Sequence, residues 1–343
     1  MTEKSAPLVS VVTPFYNTAD YLQECIESVL AQTHRDFEYV LVNNKSTDRS
    51  REIAAEYARR DDRIRFYDTD SFLTQVQNYN GAVARMHPGS KYLKIVQADD
   101  ALMPECLARM VEVAEREPGI GLVGSYWLNG TEIAGSGIPH QKSRVSGRDA
   151  CRMMLLNEAF LVGTPTTVLY PAEVVRERTP FYKEGRYHED TEAAIEILLR
   201  RDLGFVHQLL SFNRTDNVSI TSRTFSYHPN ALDHLMLVEQ YGEACLTPQE
   251  LRESRSRARA EYLNYLARSL LRGRERAFWD YHRKGLASIG WNLSWGEVLP
   301  RTVSEVLKLA LNPLSTVERL VGELGRKRTA GSQSAASARP PQS

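Results

Sequence analysis

Leu8-Val9-Ser10-Val11-Val12-Thr13 is a short apolar, β-branched run stopped by Pro14. Such a run predicts a strand covered on both faces. After the polar loop Phe15-Tyr16-Asn17-Thr18, apolar positions from Asp20 onward recur at helical spacing (Leu22, Ile26, Val29, Leu30). Phe37 to Val42 is again β-rich, which completes one βαβ unit. The alternation continues with a helix at Ser50 to Arg60, a strand at Arg63 to Tyr67, a helix at Gln75 to Met86 and a strand at Tyr92 to Val96. A helix at Pro104 to Arg116 ends near Pro118-Gly119, and Ile120 to Val123 reads as a further buried strand. Repeated βα alternation predicts an α/β fold with a mainly parallel sheet flanked by helices.

Asn129 to Ser146 is rich in Gly, Ser and Pro without a clear period, which predicts a long loop or irregular hairpin. Thr191 to Leu199 reads as a helix. Past Asn230 strand signals nearly vanish, and Ala231 to Tyr241, Pro248 to Leu271 and Arg274 to Ile289 all read as helical. This shift predicts one domain over 1–228, a helical C-terminal region over 229–328 and a disordered tail over 329–343, which is Ala, Ser, Gln and Pro with little to bury. Val303, Val306, Leu307 and Leu311, then Leu314, Val317, Leu320, Val321 and Leu324, form apolar stripes on either side of Asn312-Pro313, followed by Arg326-Lys327-Arg328. Such a stretch is suited to an anionic membrane surface, to packing on the rest of the chain or to a partner subunit.

Composition narrows the class. With 343 residues, 42% apolar and 25% charged, the chain is an ordinary globular sequence. Lys plus Arg is 43 and Asp plus Glu is 43, so no global field recruits nucleic acid, and no nucleic-acid partner is expected. Cys25, Cys106, Cys151 and Cys245 form no C-x-x-C pair, which leaves neither a zinc knuckle nor a disulfide framework and suits a reducing cytosol. Neither a signal peptide nor an apolar run of the roughly 20 residues that cross a bilayer is legible, so a cytoplasmic chain, at most peripheral on a membrane, is expected.

In an open α/β sheet ligands bind at the carboxyl ends of the strands. The loops there are Thr13-Pro14-Phe15-Tyr16-Asn17, Asn43-Asn44-Lys45-Ser46-Thr47-Asp48 and Gln97-Ala98-Asp99-Asp100. Read singly, each offers strand stops and helix caps: Ser46 or Asp48 before one helix, Asp99 or Asp100 before another. Read jointly, they bring Asp99 and Asp100 to the sheet edge, where oxygen ligands suit Mg2+ or Mn2+ shared with substrate phosphates. Gly119-Ile120-Gly121-Leu122-Val123-Gly124 matches G-x-G-x-x-G, but a helix precedes it and its centre reads as the strand itself, so a dinucleotide fingerprint is not expected there.

These segments, with His188-Glu189-Asp190-Thr191-Glu192 as a further element, resemble glycosyltransferase family 2, the nucleotide-sugar-dependent enzymes of GT-A fold. The resemblance covers about residues 7–225. It implies that Thr13, Pro14, Tyr16, Asn43, Gln77, Asn78 and Ala98 line the nucleotide, that Asp99, with Asp100 beside it, holds the metal, and that Asp190 is the general base with Glu189 adjacent. It also implies a nucleotide-sugar donor, a saccharide or lipid-linked acceptor and inversion at the anomeric carbon, with habitual placement at the cytoplasmic face of an inner membrane. The family pattern Asp-Asp-Gly-Ser-Thr-Asp stands here as Asn43-Asn44-Lys45-Ser46-Thr47-Asp48, and Gln97 replaces the first acid of D-x-D. Those substitutions keep alive the alternative of a catalytically silent nucleotide-binding or scaffold protein of the same fold.

Overall fold

The computed structural model describes residues 9–185, 188–215 and 229–311. In chain order the first half runs β1 (Val9–Phe15), α1 (Ala19–Leu30), β2 (Phe37–Asn43), α2 (Ser50–Arg60), β3 (Ile64–Asp68), α3 (Gln75–Val83), β4 (Tyr92–Ile95), β5 (Ala101–Leu102), α4 (Cys106–Arg116) and β6 (Ile120–Asn129). There follow β7 (Glu132–Ala134), β8 (Arg144–Val145), α5 (Gly147–Leu155), β9 (Leu169–Pro171), α6 (Ala172–Arg176), α7 (Glu189–Leu198) and β10 (Asp202–Asn213). The C-terminal helices are α8 (Pro229–Cys245), α9 (Pro248–Leu271), α10 (Arg276–Ser288) and α11 (Trp295–Leu311). The stretches 312–328 and 329–343, with Leu314 to Leu324 and the basic triplet, lie outside the described residues.

Among the described residues the strands form one sheet in the order β3-β2-β1-β4-β9-β6-β10-β5, with β7 on β6 and β8 on β10. β1, β2, β3 and β4 are mutually parallel, as the βα alternation predicts, and β9 is antiparallel to both β4 and β6. The chain moves outward from β1 to β2 and β3, then crosses back to lay β4 on the other side of β1. Beyond the carboxyl ends of the strands at such a reversal is the usual ligand position in open α/β sheets.

Alternate strand residues feed two cores. Val9 and Val11 face Leu22, Ile26, Leu107 and Met110 of α1 and α4. Val12, Leu93 and Ile95 face Ala82, Val83, Ile195 and Leu198 of α3 and α7. Each fully buried aliphatic side chain contributes about 1.5–3 kcal/mol relative to exposure, which explains why the strands read as continuous apolar runs. Gly121, within the G-x-G-x-x-G match, lies inside β6, and a Cβ there would come 2.4 Å from Cβ of Arg201 and 2.7 Å from Cγ2 of Ile197. The glycine lets the end of α7 and the turn after it pack on the strand.

The packing divides the chain at a different place from the shift in composition. The chain forms two compact units, Met1–Arg255 and Ser256–Ser343, so the division falls inside α9 rather than at residue 228. The reason is α8: Val238, Tyr241, Cys245 and Leu246 are buried in the same core as α5 and α7. In the second unit, Tyr262 and Phe278 pack around the buried ring of His282, with Tyr262 Oη 3.1 Å from His282 Nδ1. No described helix is long and apolar enough to cross a membrane.

Candidate active site

The loops after β1 and β2 are fastened to each other. Asn17 takes the left-handed conformation (φ 51°), its Oδ1 accepts from Thr47 N at 2.8 Å, and its own N–H donates to Ser46 Oγ at 3.0 Å. Asp48 accepts from the N–H groups of Ala19 and Ser50, both at 3.0 Å, so it ties together the starts of α1 and α2. Burial raises the proton affinity of Asp48, but these hydrogen bonds, with one from the Ser50 hydroxyl, outweigh it and hold the carboxyl below its usual range. Asp48 thus serves the first N–H groups of both helices from outside their N-cap positions, which are Thr18 and Arg49.

Thr13 is buried with its hydroxyl 3.0 Å from Tyr39 Oη, and Pro14 does not stop the strand: it pairs opposite Val42 and β1 runs on to Phe15 opposite Asn43. Tyr16 is exposed and packs edge-on against Phe72 with ring centroids 4.9 Å apart. Asn43 donates to Asp68 Oδ1 at 2.7 Å and accepts from Ser46 N at 3.0 Å. Asn44 clamps the backbone of Leu73 from both sides, accepting from its N–H at 2.8 Å and donating to its carbonyl at 2.9 Å. Asn44 is therefore a framework residue whose amide does what a carboxylate cannot, since it both donates and accepts.

Lys45 sits at φ 59°, a conformation natural to glycine and costly for residues with a Cβ. The family's glycine at this position thus has a conformational explanation. Replacing Lys45 with Gly should stabilise the protein by up to about 1 kcal/mol, partly offset by the freer unfolded chain, and a calorimetric scan showing a lower melting temperature would contradict this.

Gln77 and Asn78 begin α3. Gln77 completes a capping box with Thr74 and reaches Glu184 Oε2 at 3.0 Å. Asn78 is buried with Oδ1 lacking a partner among the described residues. Ala98 is buried, and Gln97 N donates to Thr166 Oγ1 at 3.0 Å. Thr166 in turn donates to Asp100 Oδ2 at 2.5 Å, while Arg214 N donates to Asp100 Oδ1 at 3.1 Å. Both Asp100 oxygens are thus engaged by the protein, which makes Asp100 a clasp joining the ends of β4, β10 and the turn at Pro165–Thr167. The half-buried Asp99 accepts from Arg214 Nε through its backbone carbonyl at 3.1 Å.

Glu189 and Asp190 form the first turn of α7, and Thr191 N donates to Asp190 Oδ1 at 2.7 Å. Tyr79 of α3, which the sequence alone does not mark out, feels charge from both acidic segments. Its phenol is hydrogen-bonded to Gln97, and burial, then Asp99, Asp100 and Glu189, push its ionisation far upward. Charges after β4 and at the start of α7 therefore both act on the Tyr79 phenol. The electrostatics record crowding of like charge: burial and then Asp99 push Asp100 up to about 8, and burial and then Asp190 push Glu189 up to about 7. Burial also raises Asp190, opposed by the charge of His188 and the Thr191 N–H. Burial favours a neutral His188 ring, but the Asp233 carboxylate 2.9 Å away and the charges of Asp190 and Glu189 together outweigh it and lift the ring to about 9.

This cluster fits a divalent cation in kind, since a bound cation relieves such carboxylate repulsion. Among the described residues no three His, Cys, Asp or Glu side chains converge as a complete protein-built metal cage. Mg2+ and Mn2+ sites that use one or two carboxylates plus substrate phosphates need no such cage.

A parallel βα half with a reversal of strand order at β1/β4 and helices packed on both faces of the sheet is a GT-A type of architecture. The family profile described as "Glycosyl transferase family 2" matches residues 10–178. The glycosyltransferase GlyG of Streptococcus pneumoniae is 32% identical over 234 residues, covering 64% of this chain and 74% of GlyG. The uncharacterized glycosyltransferase EpsJ of Bacillus subtilis is 40% identical over 111 residues, and the match spans only 31% of EpsJ. The chain therefore belongs to glycosyltransferase family 2, and its class of enzyme is that of the glycosyltransferases. Among solved structures, Staphylococcus aureus TarS 1–349 in complex with UDP-GlcNAc superimposes with a TM-score of 0.59 at 15% identity, covering 82% of this chain and 80% of that one. The mannosyltransferase PcManGT of Pyrobaculum calidifontis, in complex with GDP-Man and Mn2+, gives 0.54 at 15% identity, covering 91% and 82%. At these identities the likeness concerns the fold.

Proposed function

We propose that the protein is an inverting, metal-dependent glycosyltransferase that moves a sugar from a nucleoside-diphosphate donor to a hydroxyl of a saccharide or lipid-linked acceptor. The observation carrying this reading is that Asp99 and Asp100 follow β4 beside the β1/β4 reversal of the sheet, and that they and Glu189 all push up the ionisation of Tyr79. Thr13, Pro14, Tyr16, Asn43, Gln77, Asn78 and Ala98 line the donor in this reading. The exposed Tyr16 and Phe72 pair offers a face on which a base stacks. Asp190 takes the proton of the acceptor hydroxyl. The freed oxygen bonds to the anomeric carbon as the bond to the diphosphate breaks on the opposite face, which inverts the centre. Asp99, with the diphosphate, would hold Mg2+ or Mn2+, and the ion when bound supplies positive charge against the leaving diphosphate. Both solved relatives of the fold carry nucleotide sugars, and PcManGT carries Mn2+, in keeping with this assignment. Calorimetric titration with a panel of nucleoside diphosphates, each with and without Mn2+ or Mg2+, should give metal-dependent binding for one base. No binding under any condition would remove the donor site.

We also propose contact with the cytoplasmic face of an anionic membrane. In α11, Trp295, Leu299, Val303, Val306, Leu307 and Leu311 are exposed at spacings that place them along one side of the helix. Pelleting with anionic liposomes should be reduced at least several-fold by Leu299→Asp with Val303→Asp, and equal pelleting of both proteins would exclude this surface.

A further inference from the structure

We propose that Asp233 of α8 is a positioning residue for the transfer, holding His188 against the Glu189–Asp190 pair so that a helix remote in sequence sets the behaviour of the base. The inference rests on the reading of Asp190 as base. Its foundation is geometric: His188 Nε2 and Asp233 Oδ2 are 2.9 Å apart, and Asp233 is 8% exposed. Asp233 is held there by the rest of α8. Tyr241 Oη lies 2.8 Å from Glu192 Oε1 and 2.6 Å from Glu196 Oε1, so its one proton serves one or other of them, and His234 Nε2 lies 3.1 Å from the Leu155 carbonyl. His188 immediately precedes α7, so a cation there opposes the helix dipole and does nothing to stabilise that helix. What an imidazolium does there is offset the two carboxylates that follow it.

The ionisable groups around the pair come from several elements. His188 faces Asp233 of α8 and Asp190 and Glu189 of α7. Asp190 in addition faces Tyr170 of β9 and Tyr182. Glu189 faces Tyr79 of α3. Among the described groups, His188 is the positive charge that favours the ionised Asp190 against burial, while Arg178 acts on Tyr170. Without Asp233 the same burial drives His188 to its neutral form, and Asp190 then retains its proton to higher pH.

Two readouts on full-length protein test this, one of them independent of turnover. In NMR titrations the His188 ring should titrate near 9 in the wild type and fall toward the ordinary 6.5 or below in Asp233→Asn. In kinetics, Asp233→Asn should cut turnover at neutral pH by about 5- to 20-fold, with recovery at alkaline pH, so the acid limb of kcat/KM moves upward. Asp233→Glu should restore both readouts, and His188→Gln combined with Asp233→Asn should be no worse than His188→Gln alone. A uniform loss at every pH, or an unshifted His188 titration in a folded Asp233→Asn protein, would overturn the proposal. Should Asp190→Asn keep its turnover while the His188 titration still shifts, the reading of Asp190 as base fails and the Asp233–His188 coupling stands without its catalytic consequence, which also overturns the positioning role.

Discussion

Asp190→Asn is expected to lower kcat by about two to four orders of magnitude while leaving donor affinity within roughly twofold of the wild type. The substitution preserves shape and can still accept from the Thr191 N–H, which bonds Asp190 Oδ1 at 2.7 Å, so α7 keeps its first turn. What disappears is the site that receives the acceptor's proton. The pH dependence follows from the raised proton affinity of Asp190. Activity needs the carboxylate, so kcat/KM climbs as pH rises through its titration and is lost below it, at a higher pH than for an unperturbed aspartate. Glu189 complicates the limb, because at about 7 it is partly protonated near neutrality and its charge opposes that of Asp190. Glu189→Gln removes that repulsion and should move the acid limb downward, the reverse of the effect expected at Asp233. Steady-state kinetics together with nucleotide titration on the Asp190→Asn protein decide the matter: retained turnover removes Asp190 from the chemistry, and lost nucleotide binding means that the variant damaged the donor site instead.

The parallel half of the fold was legible because each strand is covered on both faces and each helix has one apolar stripe, so local pattern and final environment agree. Ile120 to Val123 was read as strand rather than dinucleotide turn, and those residues lie in β6. The far half was not legible. β9 is only three residues, and β10, though twelve residues long, pairs with β6 through register shifts that interrupt its alternation. The site divides along the same line. Loops after strands announce themselves, but their supports arrive from far away: Asp100 is clasped by Thr166 and Arg214, 66 and 114 residues distant. Tyr79 looked like one more position in a helix, and Asp233 belonged to a stretch whose composition suggested a separate domain. Composition reports solvent and secondary structure, whereas the division at Arg255 reflects which buried faces meet.

Asp99→Ala should abolish the metal dependence of nucleoside-diphosphate binding, weakening affinity in Mn2+ by about 10- to 100-fold and turnover by more. The contrast with its neighbour gives this prediction its force. Asp100 is buried, both its oxygens accept protein hydrogen bonds, and its proton affinity is pushed up to about 8. Replacing it with Ala leaves the buried Thr166 hydroxyl and Arg214 N–H without this acceptor, which should cost about 1–3 kcal/mol of stability with a smaller effect on the metal response. The two adjacent carboxylates are thereby separated by function: one is assigned to the cation, the other to the join between β4 and β10. Calorimetric titration with and without Mn2+, paired with thermal unfolding of both variants, reads the two effects independently. Equal loss of metal response in both would make the pair a joint ligand set. An unchanged metal response in Asp99→Ala would leave the diphosphate to other residues, with Arg214 as the cation already bonded to this turn.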